Sequence, residues 1–198
     1  MATAGPDYIL LAVGVLLFAG AAYGITTVEE HPAGVYQVTW KTVDVAAPQA
    51  GAFKEGTFSH TFSITEHNLT RVVISVTCSD GSARASVDPA KLTVSVTPPN
   101  GTAAPEPQSK NCAGAKMEFV FDLNPLPANT TVGGSSEDIA EQLGRMHVTN
   151  GTGDYVVSIK NQRGQTAAIP GAVPVPAASG TVEAKVQKFE AVTAPVVK

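Results

Sequence analysis

The chain has 198 residues, a formal net charge of −4 and a pI near 5.5. An acidic chain with only 15% charged side chains and scattered Lys and Arg offers no surface built to neutralise phosphates, which argues against nucleic acid as a partner. Its length suits one core plus an appendage, and its wealth of Thr, Ser, Gly, Ala, Val and Pro suits an extracytoplasmic β-rich domain.

The appendage comes first. After a short tail, residues 1–7, no charged side chain occurs from residue 8 to residue 28, and a helix of that length spans about 30 Å, the thickness of a bilayer's hydrocarbon core. Two readings compete. Ala19 and Ala21 make the small-x-small pattern of a signal-peptidase site, whereas Gly20 and Gly24 make the GxxxG pattern that lets membrane helices touch. A signal needs a basic n-region and an apolar stretch of about 7–15 residues. Here nothing basic precedes residue 8, Asp7 is acidic, and the uncharged run continues past the Ala19–Ala21 site. The segment is therefore read as a retained single-pass helix over residues 8–28, with Gly20 and Gly24 facing another helix. A linker, residues 29–34, follows, and residues 35–198 form the domain. The first basic residue is Lys41, so the positive-inside rule has almost nothing to count and leans slightly toward a cytoplasmic domain.

Alternation with period two then takes over. Tyr36, Val38 and Trp40 make a first run, Phe58, His60, Phe62 and Ile64 a second, and Val72, Ile74, Val76 and Cys78 a third. Leu92, Val94 and Val96 are the fourth, and Met117, Phe119, Phe121 and Leu123 the fifth. Met146 and Val148 predict a short sixth strand, Tyr155, Val157 and Ile159 a seventh, and Val182, Ala184 and Val186 an eighth. Turn signals separate them: "SDGS", "TPPNGT", "NPLPANT" and "NGTGD". One stretch, "SSEDIAEQLG", reads as helix: Ser135 caps it with Asp138 reaching back, and Gly144 ends it. Two stretches read as loops, the proline-rich residues 98–115 and residues 169–180, where Pro170, Pro174 and Pro176 exclude a central strand. The expected fold is all-β: an antiparallel sandwich, jelly-roll or Ig-like, of about eight strands with one short helix, preceded by the transmembrane helix.

The two cysteines, Cys78 and Cys112, show no CxxC spacing and no nearby histidine pair. They read as one disulfide if the domain faces an oxidising compartment, and otherwise as two buried thiols. Of the seven asparagines, Asn68, Asn100, Asn129 and Asn150 begin N-x-T triplets, which are acceptors for N-glycosylation. Turn chemistry accounts for Asn-Gly at two of them, and on either reading all four belong in exposed loops or strand ends. The sequons outvote the positive-inside count and set the domain outside.

At "FSITEHNLTRVVISVTCSDG", "LTVSVTPPNGT" and "GTGDYVVSIKNQRG" the order of elements resembles the jelly-roll accessory domains, of the pre-peptidase and P-domain type, of secreted and surface proteins. The resemblance covers about residues 56–164 and implies a folded, noncatalytic module. The long cysteine-bearing loop and the lack of an attached enzyme depart from that pattern.

No catalytic constellation is legible. His31, His60, His67 and His147 lack ligand spacing, with His60 on the face of Phe58 and Phe62, where a lone histidine serves as a hydrogen-bonded core or edge residue. No GxSxG, HExxH or Walker loop occurs. A calcium site on Asp80, Asp88, Asp122 and Asp154 is weighed against their use as turn formers, and turn formation is preferred. The sequence thus predicts no enzyme, cofactor or metal. It predicts a noncatalytic, single-pass, membrane-anchored extracytoplasmic protein that serves an envelope or membrane assembly as a structural or interaction subunit. Its partners would be the lipid bilayer and other membrane or envelope subunits, further copies of itself among them. Two alternatives are a pilin-like subunit of a glycosylated filament and an adhesion or sugar-binding module.

Overall fold

A computed structural model describes residues 33–81, 89–163 and 178–196. The expected membrane helix of residues 8–28, with Gly20 and Gly24, lies outside them, as does most of the proline-rich stretch 169–180. Among the described residues no helix is long and apolar enough to cross a membrane.

The elements run β1 (Gly34–Val45), β2 (Gly51–Lys54), β3 (Gly56–Ile64), β4 (Leu69–Ser79), β5 (Lys91–Thr97), β6 (Gln108–Asn111), β7 (Ala115–Asp122), β8 (Thr130–Gly134), α1 (Ser136–Gly144), β9 (Gly153–Gln162) and β10 (Ser179–Pro195). The chain divides into two compact units. The larger comprises Trp40–Pro127 and Val148–Glu190, and the smaller takes in the residues before Trp40, Ala128–His147 and the residues after Glu190.

In the larger unit one sheet has the order β7-β4-β10-β1, with β2 also paired to β10, and the second has the order β3-β9-β5-β6. Setting β2 aside, the strands of these two sheets are nested: β1 neighbours β10, β3 pairs with β9, β4 with β7 and β5 with β6. A ribbon of nested antiparallel pairs rolled into two sheets is the jelly-roll arrangement, so of the two expected sandwich classes the strand order fits this one.

Alternation explains why these segments are strands. Val72, Ile74 and Val76 of β4, Met117, Phe119 and Phe121 of β7 and Val182, Ala184 and Val186 of β10 point into one core with Phe62, Ile64, Leu92, Val94, Val96, Tyr155, Val157 and Ile159 from the other sheet. Burial of each large apolar side chain contributes about 1.5–3 kcal/mol. Phe121 and Tyr155 meet edge to face with centroids 5.1 Å apart. The Tyr155 hydroxyl donates to the Gly151 carbonyl at 2.9 Å, and burial pushes its pKa up to about 12. His60 sits between Phe58 and Phe62 with Nε2 donating to the Gln49 carbonyl at 3.1 Å.

Three expectations need correction. Met146 and Val148 form no strand: Met146 lies in the turn after α1, where the Met146 and His147 amides donate to the carbonyls of Leu143 and Gly144, and Val148 lies in the irregular stretch that follows. The stretch 98–115 is not all loop, because residues 108–111 pair with β5 as β6. Short β2 and β8 were not expected as strands either, and with β6 they bring the described strands to ten.

In the smaller unit β8 pairs with the start of β1, from Gly34↔Gly134 to Val38↔Thr130. Helix α1 follows, capped as its sequence predicts. The Asp138 amide donates to Ser135 Oγ at 3.3 Å, and the Ser135 amide donates to Asp138 Oδ2 at 2.9 Å. The helix buries Ile139 and ends in an Arg145–Glu141 ion pair. The Ser135 hydroxyl, and after it the Ser135 amide, hold the Asp138 carboxyl below its ordinary pKa. A depressed folded-state pKa stabilises the fold above the unfolded value and loses that contribution as pH falls through the folded one. Urea unfolding between pH 6 and pH 2 is therefore expected to show an acid-side loss that Ser135→Ala reduces, since the residue 135 amide stays in place, while Ser135→Ala itself costs about 1 kcal/mol at neutral pH.

Candidate functional site

Two regions of the larger unit gather the residues that the sequence singles out. The first is the corner around the disulfide. Cys78, near the end of β4, is joined to Cys112, just past β6, with Cα atoms 5.0 Å apart. Since β4 and β6 belong to different sheets, the bond staples one sheet to the other. Cys112 is fully buried, and its amide donates to the Ala90 carbonyl at 2.7 Å.

Beside it lies an ion pair that no sequence pattern marks. Arg163 Nη2 donates to both carboxylate oxygens of Asp80, at 2.9 and 3.0 Å, and the Asp80 side chain is wholly buried. Asp80 Oδ2 also accepts the Ala90 amide at 3.1 Å, while Glu55 stands 3.9 Å from Arg163 Nε. An open cleft of about 380 Å³ is lined by Glu55, Gly56, Asn161, Gln162 and Arg163. The fully buried Asn161 donates through Nδ2 to the Ala178 carbonyl at 3.3 Å and to Cys78 Sγ at 3.8 Å. This lining holds no nucleophile with a base beside it.

The aspartates weighed for calcium do not converge. Asp80 belongs to Arg163, Asp122 pairs with Arg71 at 3.2 Å, and Asp154 accepts from Ser63 Oγ at 2.7 Å; Asp88 lies outside the described residues. Among the described residues no group of three or more acidic, histidine or cysteine side chains could hold a metal. Among the described residues the tyrosines and the tryptophan that would serve a sugar platform are turned inward: Tyr36 and Tyr155 are buried, and Trp40 packs edge-on against Phe189 with centroids 5.3 Å apart.

The second region is made by the sequon loops. Asn100 and Asn150 are exposed at turns whose following glycines, Gly101 and Gly151, have φ of +89° and +85°, a conformation that suits Asn-Gly. At Gly151 a β-carbon would collide with the Leu123 side chain, so the turn requires glycine. Asn68 is half-buried in the left-handed conformation at φ 59°. Its Oδ1 accepts the Val148 amide at 2.9 Å, and its own amide donates to the Val148 carbonyl at 2.8 Å. Asn124 joins this end by donating to the carbonyls of Leu69 at 2.7 Å and Asn150 at 3.3 Å. In the smaller unit Asn129 is exposed immediately before β8.

The hydroxyls at the third position of these triplets differ. Thr152 Oγ1 donates to the Glu66 carbonyl at 2.9 Å, and Thr131 is exposed. Thr70 Oγ1 and Thr102 Oγ1 are buried and make no hydrogen bond. That difference cannot be read from the triplets alone.

No protein-family profile matches this chain, and no curated protein matches it. Among solved structures, a protein of Desmodium yellow mottle tymovirus is similar at 12% identity and TM-score 0.32, over 87% of this chain and 94% of that one. One of the naturally occurring empty particles of cowpea mosaic virus, the top component, is similar at 9% identity and TM-score 0.34, over 85% and 89%. A third, from the Gx strain of infectious bursal disease virus, has 12% identity and TM-score 0.26, over 81% of this chain and 44% of that one.

Proposed function

We propose that this chain is a noncatalytic, membrane-anchored extracytoplasmic protein whose β domain serves an envelope or membrane assembly as a structural or interaction subunit. The observation that carries the reading is the Cys78–Cys112 disulfide, which joins two sheets of a core that is otherwise ordinary in its packing. Such bonds persist in oxidising compartments and are rare where thiols are kept reduced. The four N-x-T triplets and the 21 uncharged residues 8–28 support the same side of the membrane and the same mode of attachment. The anchor is the helix of residues 8–28, its Gly20 and Gly24 packed on another helix. The noncatalytic reading rests on a cleft that holds an ion pair and amides without a nucleophile–base pair.

Sequencing the mature N-terminus and extracting the protein from its native membrane fraction test this together. Retention of residues 8–28, release only by detergent, and protection of both cysteines from thiol reagents are expected. A start near Ala22 with release by salt makes it a secreted protein, and two freely reacting cysteines in the folded protein overturn the exterior placement.

A further inference from the structure

We propose that Asn68 and Asn100 receive their glycans on the unfolded chain, before folding encloses the hydroxyls that mark them. This deepens the exterior reading above and rests on it. The acceptor triplet is defined by an asparagine amide and a hydroxyl two residues on. At two of the four triplets the folded protein makes no use of that hydroxyl: Thr70 Oγ1 and Thr102 Oγ1 are buried with no hydrogen-bond partner. No other group of the protein uses either hydroxyl, and valine, of the same shape, would fill the same space without one. The fold thus gives the hydroxyls at residues 70 and 102 no protein partner, and their use lies at an earlier stage, when the chain is extended and they can be read.

The other triplets supply the contrast. Thr152 Oγ1 has a structural partner in the Glu66 carbonyl, and Thr131 remains exposed after folding. The asparagines themselves tolerate the modification. Asn100 is exposed at its turn. Asn68 uses Oδ1 to accept the Val148 amide, whereas a glycan is attached at Nδ2, so the bond to Val148 survives. In the transfer, Nδ2 forms a bond to the anomeric carbon of a lipid-pyrophosphate-linked oligosaccharide. The bond from that carbon to the phosphate oxygen breaks, the pyrophosphate leaves with the electron pair, and one amide proton is lost to a base.

The test compares acceptance before and after folding. The full chain is translocated into microsomes during synthesis. In parallel, unglycosylated, folded full chain is offered purified oligosaccharyltransferase with its lipid-linked donor. Occupancy is read site by site by mass spectrometry after enzymatic release in heavy-oxygen water. Occupancy of Asn68 and Asn100 is expected in the translocated chain. In the folded chain Asn129 should be modified while Asn68 and Asn100 fall at least tenfold, to recover when the protein is unfolded and reduced. Equal modification of Asn68 and Asn100 in the folded chain overturns the inference, and so does their absence from a translocated chain occupied at Asn129. A translocated chain with no glycan at any triplet and free thiols at Cys78 and Cys112 overturns the exterior reading instead, and this inference with it. Thr70→Val and Thr102→Val give an independent readout: unchanged or raised Tm with loss of occupancy at Asn68 or Asn100, while Thr70→Ser keeps occupancy. A lowered Tm in both valine variants would mean that the hydroxyls serve the folded state, and would overturn the inference.

Discussion

Replacing Cys78 and Cys112 together by alanine is expected to destabilise the domain by about 3–4 kcal/mol, because the bond closes a long loop in the unfolded chain. The cysteines are 34 positions apart, and the cost of closing a loop of that length is what the cross-link removes from unfolding. At this domain size each kcal/mol shifts Tm by about 2–4 °C, so a fall of roughly 6–16 °C follows from the two ranges together. The folded state gives a reason to expect the full effect. The segment between the cysteines leaves β4 of one sheet and passes through β5 and β6 of the other, and the chain re-enters the first sheet as β7 only after Cys112, so the bond spans a crossing between layers. The alanine variant keeps β5 in place through Leu92, Val94 and Val96, which are buried, and should unfold cooperatively from a lower baseline. Thermal unfolding of the double variant, and of the parent with and without reductant, measures it. A Tm change below about 2 °C in both would show that β5 and the Ala90–Cys112 hydrogen bond hold the corner alone.

The long strands are legible because each places apolar side chains on every second residue, and the two inner faces need such rows to make one core. Val72, Ile74 and Val76 announce β4 as plainly as Tyr155, Val157 and Ile159 announce β9. Strands β2, β6 and β8 read "GAFK", "QSKN" and "TTVGG". Nothing in those strings specifies a strand: β2 and β8 are held by hydrogen bonds to β10 and β1, far off in sequence, and β6 by hydrogen bonds to the preceding β5. Met146 and Val148 mislead for the opposite reason: they alternate, but the carbonyls at the end of α1 take the amide of Met146, and Asn68 takes that of Val148. The helix is legible to its cap because Ser135 and Asp138 act locally.

At the candidate sites the same division holds between local chemistry and distant pairing. The triplets and the two cysteines are visible as residue types. Which threonine hydroxyls are buried is decided by the packing of loops, and the partner of Asp80 lies 83 positions away. Asp80 sits in a turn signal, "SDGS", that accounts for an aspartate without any ion pair, so its burial beneath Arg163 has no local signature.

Arg163→Met is accordingly expected to destabilise the domain by about 3–5 kcal/mol, the cost of leaving a buried charge without its partner. The Asp80 side chain is entirely buried and that of Arg163 only 11% exposed, so water cannot replace the guanidinium as it would at the surface. The substitution takes from Asp80 the two hydrogen bonds that Arg163 supplies and leaves it the Ala90 amide among its contacts. A buried carboxylate that loses a guanidinium is harder to keep ionised, and the variant should recover part of its stability as pH falls, because protonation relieves the charge that Arg163 had offset. The parent is expected to move the other way over that range as its carboxylates lose their partners. Removing both members, Asp80→Leu with Arg163→Met, removes the buried carboxylate together with its guanidinium and should cost less than Arg163→Met alone, since a buried pair contributes little net stability against apolar replacements. Urea unfolding of the parent, of each single variant, Arg163→Met and Asp80→Leu, and of the double variant at pH 7 and pH 5 measures all of this. A double variant as unstable as the sum of its singles would place the value of the pair in the Ala90 hydrogen bond and in the packing around the disulfide, instead of in charge neutralisation.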